Sequence, residues 1–553
     1  DPLAERDSGY SPERRMLGVE WHGPGYHTRV PNGTWAHPTR ESLAYALDLL
    51  RTGKGWQVER AAAIVRQVLT LQDTDPLSPT YGIWPWLLEE PLAAMAPPDW
   101  NWADFCGALL AEMLAVGGDA LPGDLAAGMR ASLGHAAWSI FRRNVRLGYT
   151  NIAIMGAGVA LAAGTLLAEP RLAEYGRCRL RAIVEYTAEQ GGFAEYNSPT
   201  YTLVALRECE RIVRLVDDPA ARAGAEWLRR EAWRTIAEHY HPGTGQWAGP
   251  HSRTYGDRLD AGSARALSAA TGVAIPTGAD TPPARRGGAG LDLPCSPEFV
   301  ARFRALPADP TVVRRRFIRR DSDDTSTWGT TWLTGDACLG TVNADNLWTQ
   351  RRPLLGYWRG DAGATAELRL RFLHDGDDFA SAFVRNAQEG ERVLSAVGLL
   401  TNMGDTHHTL DRPTGGRFEA ADFRLRYELS GAGVATAQLA ADRFALSAGG
   451  WRAIVHAVPG RFGPRPVEWQ LGAGDDRIWL DAVCYRGPRR PFDPAELGEV
   501  ALAAGLELLP AGQPPAAVPP RIGPPNDGVA DISWPIGAGL RIVAPLVAQP
   551  YPR

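Results

Sequence analysis

The chain has 553 residues, more than one hydrophobic core normally serves, so two domains or three are expected. A hydrophobic content of 45% and a charged content of 22% describe an ordinary globular protein, and the formal charge of −5 gives no general attraction to nucleic acid. The single lysine, Lys54, lies in the turn 52–55, a poor desolvated pocket for Schiff-base chemistry, and no run of 18 apolar residues is present to span a membrane.

In chain order, residues 1–36 read as a polar, irregular N-terminal extension. From 37 to about 241, apolar residues recur at three- and four-residue spacing, as at Leu43, Leu47 and Leu50. The pattern predicts helices over 40–50, 58–71, 102–116, 125–142, 151–168, 171–189, 201–216 and 220–239. Stop signals such as Gly117-Gly118 and Glu169-Pro170 separate them. Repeated helix pairs with no strand signal between them predict an (α/α) toroid or incomplete barrel as the catalytic domain, residues 37–298. The segment 272–298 is rich in Pro and Gly and reads as a link. Beyond about 311 the runs 330–333, 366–372, 423–429, 451–457, 477–483 and 540–543 alternate or are rich in β-branched and aromatic residues. They predict a C-terminal antiparallel β-sandwich domain, residues 299–553, and hence a multidomain α and β protein. The six cysteines are scattered without a Cys-x-x-Cys pair, which is neither a zinc framework nor a disulfide scaffold.

Two breaks in the helical pattern place chemistry at helix starts. Gly148-Tyr149-Thr150-Asn151 opens the helix at 151, and the loop 191–201 ends on Tyr201. An Asn followed about 50 residues later by Glu195-x-x-Ser198-Pro199-x-Tyr201 resembles the heparinase II/III group of polysaccharide lyases. The resemblance implies a toroid followed by a β domain, with a substrate cleft between them. It also implies cleavage of a uronic-acid glycan by β-elimination. In that reaction the C5 proton must leave from a carbon beside a carboxylate, so a neutral donor has to offset the charge that develops. The resemblance puts Asn151 in that role and Tyr201 in that of the acid for the leaving oxygen. Where the family usually carries His after each of these residues, this chain has Ile152 and Thr202.

Other clusters supply candidates for the base and for binding. In 247–257, His251, Arg253 and Tyr255 alternate, so an extended segment would turn all three to one side. His251, among polar and glycine neighbours, is the first choice for a base. In 404–413, His408 matches the histidine that a β-domain loop brings to the cleft of the related lyases. A structural divalent metal near His407 and His408, with Asp405 or Asp411, is a weaker reading of the same residues. No other cofactor is expected. Trp100 and Asn101, in a tryptophan-rich stretch with Trp84, Trp86 and Trp102, suit glycan subsites. Glu195 and Asn197 line the 191–201 loop, and Trp348, Arg351 and Arg352 suit an anionic substrate.

The expected partner is an acidic polysaccharide or oligosaccharide, with neither nucleic acid nor membrane. Oligomeric state and compartment, whether secreted, periplasmic or cytoplasmic, have no signal, because a chain that opens on Asp1 is silent about a leader. Two other functions fit part of the sequence. One is a glycoside hydrolase using carboxylates among Glu89, Glu90, Asp99, Asp104 and Glu195. The other is a non-catalytic glycan-binding protein. No Walker loop, dinucleotide fingerprint or Gly-x-Ser-x-Gly elbow is present.

Overall fold

The computed structural model describes residues 2–23, 26–278, 281–283, 290–405, 410 and 416–552. The chain forms two compact units that interleave along the sequence. One comprises Asp1–Glu189, Tyr201–Ala232 and Ala284–Leu293; the other comprises Gln190–Thr200, Trp233–Pro283 and Pro294–Arg553. A single boundary near 298 therefore does not describe the division. The loop 190–200 and the segment 233–283 belong to the β-rich unit.

Among the described residues the helices are α1 (Pro2–Gly9), α2 (Thr39–Thr52), α3 (Gly55–Leu69), α4 (Trp102–Gly117), α5 (Gly123–Arg143), α6 (Thr150–Leu166), α7 (Pro170–Gln190), α8 (Tyr201–Leu215), α9 (Pro219–His239), α10 (Ala261–Thr271) and α11 (Pro297–Val300). Local chemistry sets the ends. After α2, Gly53 takes φ 69°, and its N–H bonds Leu50 O at 3.2 Å. After α5, Asn144 does the same at φ 40°. Short links make consecutive helices antiparallel. Alternate helices α2, α4, α6 and α8 pack against one another in series, and α3 and α5 pack against each other as well. This is the layering of an α/α toroid. α6 is apolar nearly all round and is buried along most of its length, as a helix enclosed by neighbours must be. Its glycines let those neighbours approach: a Cβ on Gly164 would lie 2.4 Å from Ala173 N of α7, and one on Gly158 2.9 Å from the Ile212 side chain of α8. Among the described residues no helix is long and apolar enough to cross a membrane.

Two sets of contacts fix the direction of these alternate helices. At one end, Trp102 Nε1 of α4 donates to Thr39 Oγ1 of α2 at 3.0 Å. Beside it, Asn101 Nδ2 donates to the Tyr149 hydroxyl, just before α6, at 3.0 Å. At the other end, Glu112 of α4 receives Arg51 of α2 at 2.7 Å and Arg211 and Arg214 of α8 at 2.9 and 2.5 Å. The N-termini of α2, α4, α6 and α8 thus share one rim, and the C-terminal rim is riveted by charge.

Burial alone would raise the Glu112 pKa, but the Arg211 and Arg214 guanidiniums override it and hold the carboxyl at about 2 against an ordinary 4.5. A depressed folded pKa contributes stability that is present above 4.5 and lost as pH falls toward 2. Acid titration of unfolding free energy should show this loss between those limits, and Glu112→Gln should flatten it. An unchanged slope in the variant would show that Glu112 does not carry the linkage.

Among the described residues the β-rich unit contains two large antiparallel sheets, a three-stranded one and a two-stranded pairing of 240–241 with 246–247. The first large sheet orders its main strands as 344–346, 382–389, 392–399, 500–510, 451–457, 443–448 and 435–440. The second runs 468–473, 477–492, 418–430, 365–374, 354–359, 337–342, 327–333 and 311–318. Alternating residues of both, such as Leu368, Leu370 and Phe372 from one and Val384, Val393 and Val455 from the other, share one buried core. This is a β-sandwich, and the six strand runs predicted from the sequence all fall inside observed strands. A third sheet of 521–522, 529–534 and 540–545 has its own apolar cluster, with Trp534 fully buried.

Candidate functional site

In the helical unit the candidate groups sit on the N-terminal rim. Asn151 occupies the first turn of α6 and is 1% exposed, and its Oδ1 has no hydrogen-bond partner among the described residues. A buried polar atom left without a partner costs about 1–3 kcal/mol, so its retention asks for a reason. The two ends of the amide are nearly isosteric, so either the oxygen or the NH₂ can occupy that position. Tyr201 is the first residue of α8, which packs against α6. Half-buried Asn101 is fixed on both sides: it accepts from Arg143 NH1 at 2.8 Å and donates to Tyr149. Four helix N-termini on one rim give that rim positive partial charge, which favours an anion.

The tryptophans of this region divide by burial. Trp84, Trp86 and Trp102 belong to the unit's core, with Trp86 and Trp102 stacked at 4.9 Å. They are packing residues and not sugar platforms. Trp100 is half-buried, its Nε1 donating to Pro79 O at 3.0 Å.

The carboxylates considered for hydrolysis mostly have structural partners. Glu89 pairs with His37 at 2.5 Å, Glu90 accepts from Arg29 N at 2.8 Å, and Asp99 accepts from Trp86 Nε1 at 3.2 Å. Asp104 lies 3.7 Å from Arg143, and burial raises its pKa to about 8.

In the β-rich unit the loop 190–200 and the segment 247–257 are stitched together. Asn197 adopts φ 41°, a conformation Asn tolerates. Its Nδ2 donates to Ala248 O and Pro250 O at 2.9 and 2.8 Å, and its Oδ1 accepts from Trp247 Nε1 at 2.5 Å. Expected to meet substrate, Asn197 instead spends its amide on the loop and is 1% exposed. His251 Nδ1 bonds Asn197 O at 2.7 Å. A carbonyl oxygen only accepts, so Nδ1 carries the proton and Nε2 keeps the lone pair. Burial pushes the His251 pKa down to about 3, so the ring is neutral at physiological pH. Nδ1–H with a bare Nε2 is the tautomer a base requires.

Arg253 is held by Glu195 Oε1 at 3.1 Å and by Gln350 Oε1, which accepts from Nε and NH2 at 3.1 and 2.9 Å. Its guanidinium lies 5.3 Å from the Trp348 ring centroid. The segment 348–353 pairs with this loop: His251 and Arg352 exchange backbone bonds of 3.1 and 2.9 Å, and Thr254 N donates to Gln350 O at 2.7 Å. Arg352 was expected to meet an anionic substrate. It is 3% exposed, and its side chain bonds Asp257 and the carbonyls of Thr349 and Arg351, so it closes the loop instead. Arg351 pairs with Asp345, whose other oxygen accepts from the Tyr196 hydroxyl at 2.6 Å. Tyr255 is exposed. Gln350 lies in the same stretch as Trp348, Arg351 and Arg352, which the sequence also offers for an anionic substrate, but the structure gives it to Arg253. Of Tyr149 and Asp257, only Asp257 carried a signal in the sequence, as the end of the polar run His251–Asp257.

His407 and His408, and with them the suggested metal, lie outside the described residues. Among the described residues no cluster of His, Cys, Asp and Glu could hold a metal. Asp405, just before them, bonds fully buried His374 Nδ1 at 2.7 Å, while His374 Nε2 faces Glu419 O at 2.9 Å. A carboxylate and a carbonyl both accept, so this environment favours the imidazolium of His374. Burial opposes that charge, but the Asp405 and Glu419 bonds outweigh it and raise the pKa above 6.5. A raised folded pKa gives stability that is complete below 6.5 and lost as pH climbs through the folded value. Unfolding free energy should therefore fall as pH rises above 6.5, and Asp405→Asn should remove that fall. A variant with the wild-type alkaline profile would contradict the pairing.

A family model described as a domain of unknown function (DUF8769) matches residues 21–276. No curated protein matches the sequence. Among solved structures the chain is similar to heparinase III, at 11% identity over 98% of this chain and 91% of that one, with a TM-score of 0.45. It is similar to a chondroitinase AC lyase at 10% identity over 96% and 84%, with a TM-score of 0.43. It is also similar to a heparan sulfate lyase from Pedobacter heparinus at 11% identity over 93% and 83%, with a TM-score of 0.36.

Proposed function

We propose that the protein is a polysaccharide lyase that cleaves a uronic-acid-containing glycan by β-elimination. The observation that carries this reading is the N-terminal rim of the inner helices. It presents Asn151, a buried amide with an unpartnered atom, on the helix that packs against the one begun by Tyr201. Asn151 and the helix N-termini offset the charge that builds on the uronate carboxylate as the C5 proton leaves. Tyr201 protonates the departing glycosidic oxygen. His251 is the proposed base, on the strength of its tautomer, which leaves Nε2 free to accept a proton. Arg253, oriented by Glu195 and Gln350, is proposed to bind a substrate carboxylate, with Trp348 beside it. Trp100, Asn101, Tyr255 and Arg351 are proposed as further contacts, and Asn197 and Arg352 as scaffold. His408 keeps the place the family resemblance gave it.

The hydrolase reading has one observation of its own, the raised pKa of Asp104, which would make it a general acid. Product analysis separates the two. Incubation with a panel of uronate polymers should yield products with a C4–C5 double bond that absorbs in the near ultraviolet. Saturated reducing ends without that absorbance would overturn the lyase assignment.

A further inference from the structure

One corner of the sandwich carries arginines that the proposed chemistry does not use. Tyr485, 4% exposed, lies in the long strand 477–492, and its hydroxyl donates to Pro488 O at 2.5 Å. The register slips here, with Arg486 opposite Asp422 but Arg490 opposite Ala420, so residues 487–489 bulge and wrap the phenol. Two guanidiniums lie over the same ring, Arg465 at 5.0 Å and Arg490 at 4.9 Å from its centroid, and Arg490 is also 4.5 Å from the Phe492 centroid. Their charges are therefore no more than about 10 Å apart.

Both side chains belong to exposed residues, and neither has an ion pair or hydrogen bond among the described residues. Three other arginines nearby are paired. Arg486 pairs with Asp422 at 3.5 Å, Arg489 with Asp375 at 2.6 Å, and Arg417 with Asp493 at 3.0 Å. Arg465 and Arg490 stand out as fixed, solvated cations without an anion.

We infer that the Arg465–Tyr485–Arg490 stack is a secondary binding site, on the sandwich domain, for an acidic polysaccharide. Stacking fixes the guanidinium planes and leaves N–H edges that take carboxylate or sulfate groups bidentately. Two such groups on nearby sugars of one strand match two cations held at a fixed spacing. Nucleic acid fits less well: the arginines cover the ring that a base would stack on, and a duplex draws its affinity from many phosphate contacts. The polymer class rests on the reading given under Proposed function, while the site itself needs no turnover.

Arg461 supplies the control. In the hairpin 461–466, Phe462 opposes Arg465 and Arg461 opposes Pro466, so Arg461 points to the other face. Binding of heparin, alginate and neutral dextran should be measured by calorimetry on Tyr201→Phe protein, which is expected to consume a uronate polymer at least roughly a hundredfold more slowly. Arg465→Ala and Arg490→Ala should each weaken binding of at least one acidic polymer by roughly fivefold or more, with a shallower salt dependence. Arg461→Ala, with the same loss of charge, should change it far less, and dextran should not bind. Equal weakening by Arg461→Ala, or duplex DNA binding as tightly as the polysaccharides, would overturn the inference. If the parent binds no acidic polymer while wild-type protein forms unsaturated products, the secondary site fails and the lyase reading stands. Arginine-dependent binding with no elimination would leave the site and remove the lyase.

Discussion

Tyr201→Phe should lower kcat on a uronate polymer by roughly a hundredfold or more while leaving the fold and KM nearly unchanged. The substitution deletes one hydroxyl, and positioned acid–base groups typically contribute factors of that order. Tyr201 begins α8 at the end of the Glu195-x-x-Ser198-Pro199-x-Tyr201 run, so its backbone is set by the helix and the ring is retained. Asn151→Ala should give a comparable loss in kcat/KM with little loss of stability. Its Oδ1 makes no bond among the described residues that the fold would miss. Steady-state absorbance assays with parallel thermal melts check both. A Tyr201→Phe protein with most of its activity would remove Tyr201 from the chemistry, and an Asn151→Ala protein that fails to fold would make Asn151 structural.

The second large effect is on the scaffold. Gly340 lies in strand 337–342, and a Cβ there would sit 1.8 Å from Gly249 O and 2.8 Å from Pro250 N. The same carbonyl is held from the next strand by Thr331 Oγ1 at 2.6 Å. The segment that carries His251 therefore lies directly on the sheet, at a distance only glycine permits. Both clashing groups are backbone, so no side-chain rotation relieves them. Gly340→Ala should cost more than about 3 kcal/mol, at the upper end of single substitutions, and should displace the 249–257 loop. Denaturant melts measure the loss, and near-ultraviolet circular dichroism should register the disturbed Trp247 environment. A variant within about 1 kcal/mol of wild type would show that the loop yields readily.

The sequence made the helices between 39 and 239 and six of the strands legible because their periods are local properties. The predicted helix over 201–216 corresponds to Tyr201–Leu215, and the turn before it puts Tyr201 at the first position. What it could not show depends on distant partners. Trp86 and Trp102 looked like sugar-stacking residues because composition does not say which indoles face inward; only their mutual packing does. Asn197 and Arg352 looked like binding groups because both are polar and sit in loops. Their partners, Ala248 and Pro250 for one and Asp257 for the other, are about 50 and 95 residues away in sequence. The partner of Gln350 was hidden for the same reason, as its meeting with Arg253 exists only once 348–353 has paired with the 251–257 loop. The interleaving of the two units likewise follows from where the 190–200 loop packs, and no composition shift marks it.

The most direct test is a crystal structure of the Tyr201→Phe protein with a bound uronate oligosaccharide. The account predicts a uronate carboxylate within hydrogen-bond distance of the Asn151 amide. It also predicts the adjoining glycosidic oxygen beside the edge of the substituted ring, where the missing Tyr201 hydroxyl would reach it. An oligosaccharide bound with its carboxylates away from Asn151 would contradict it.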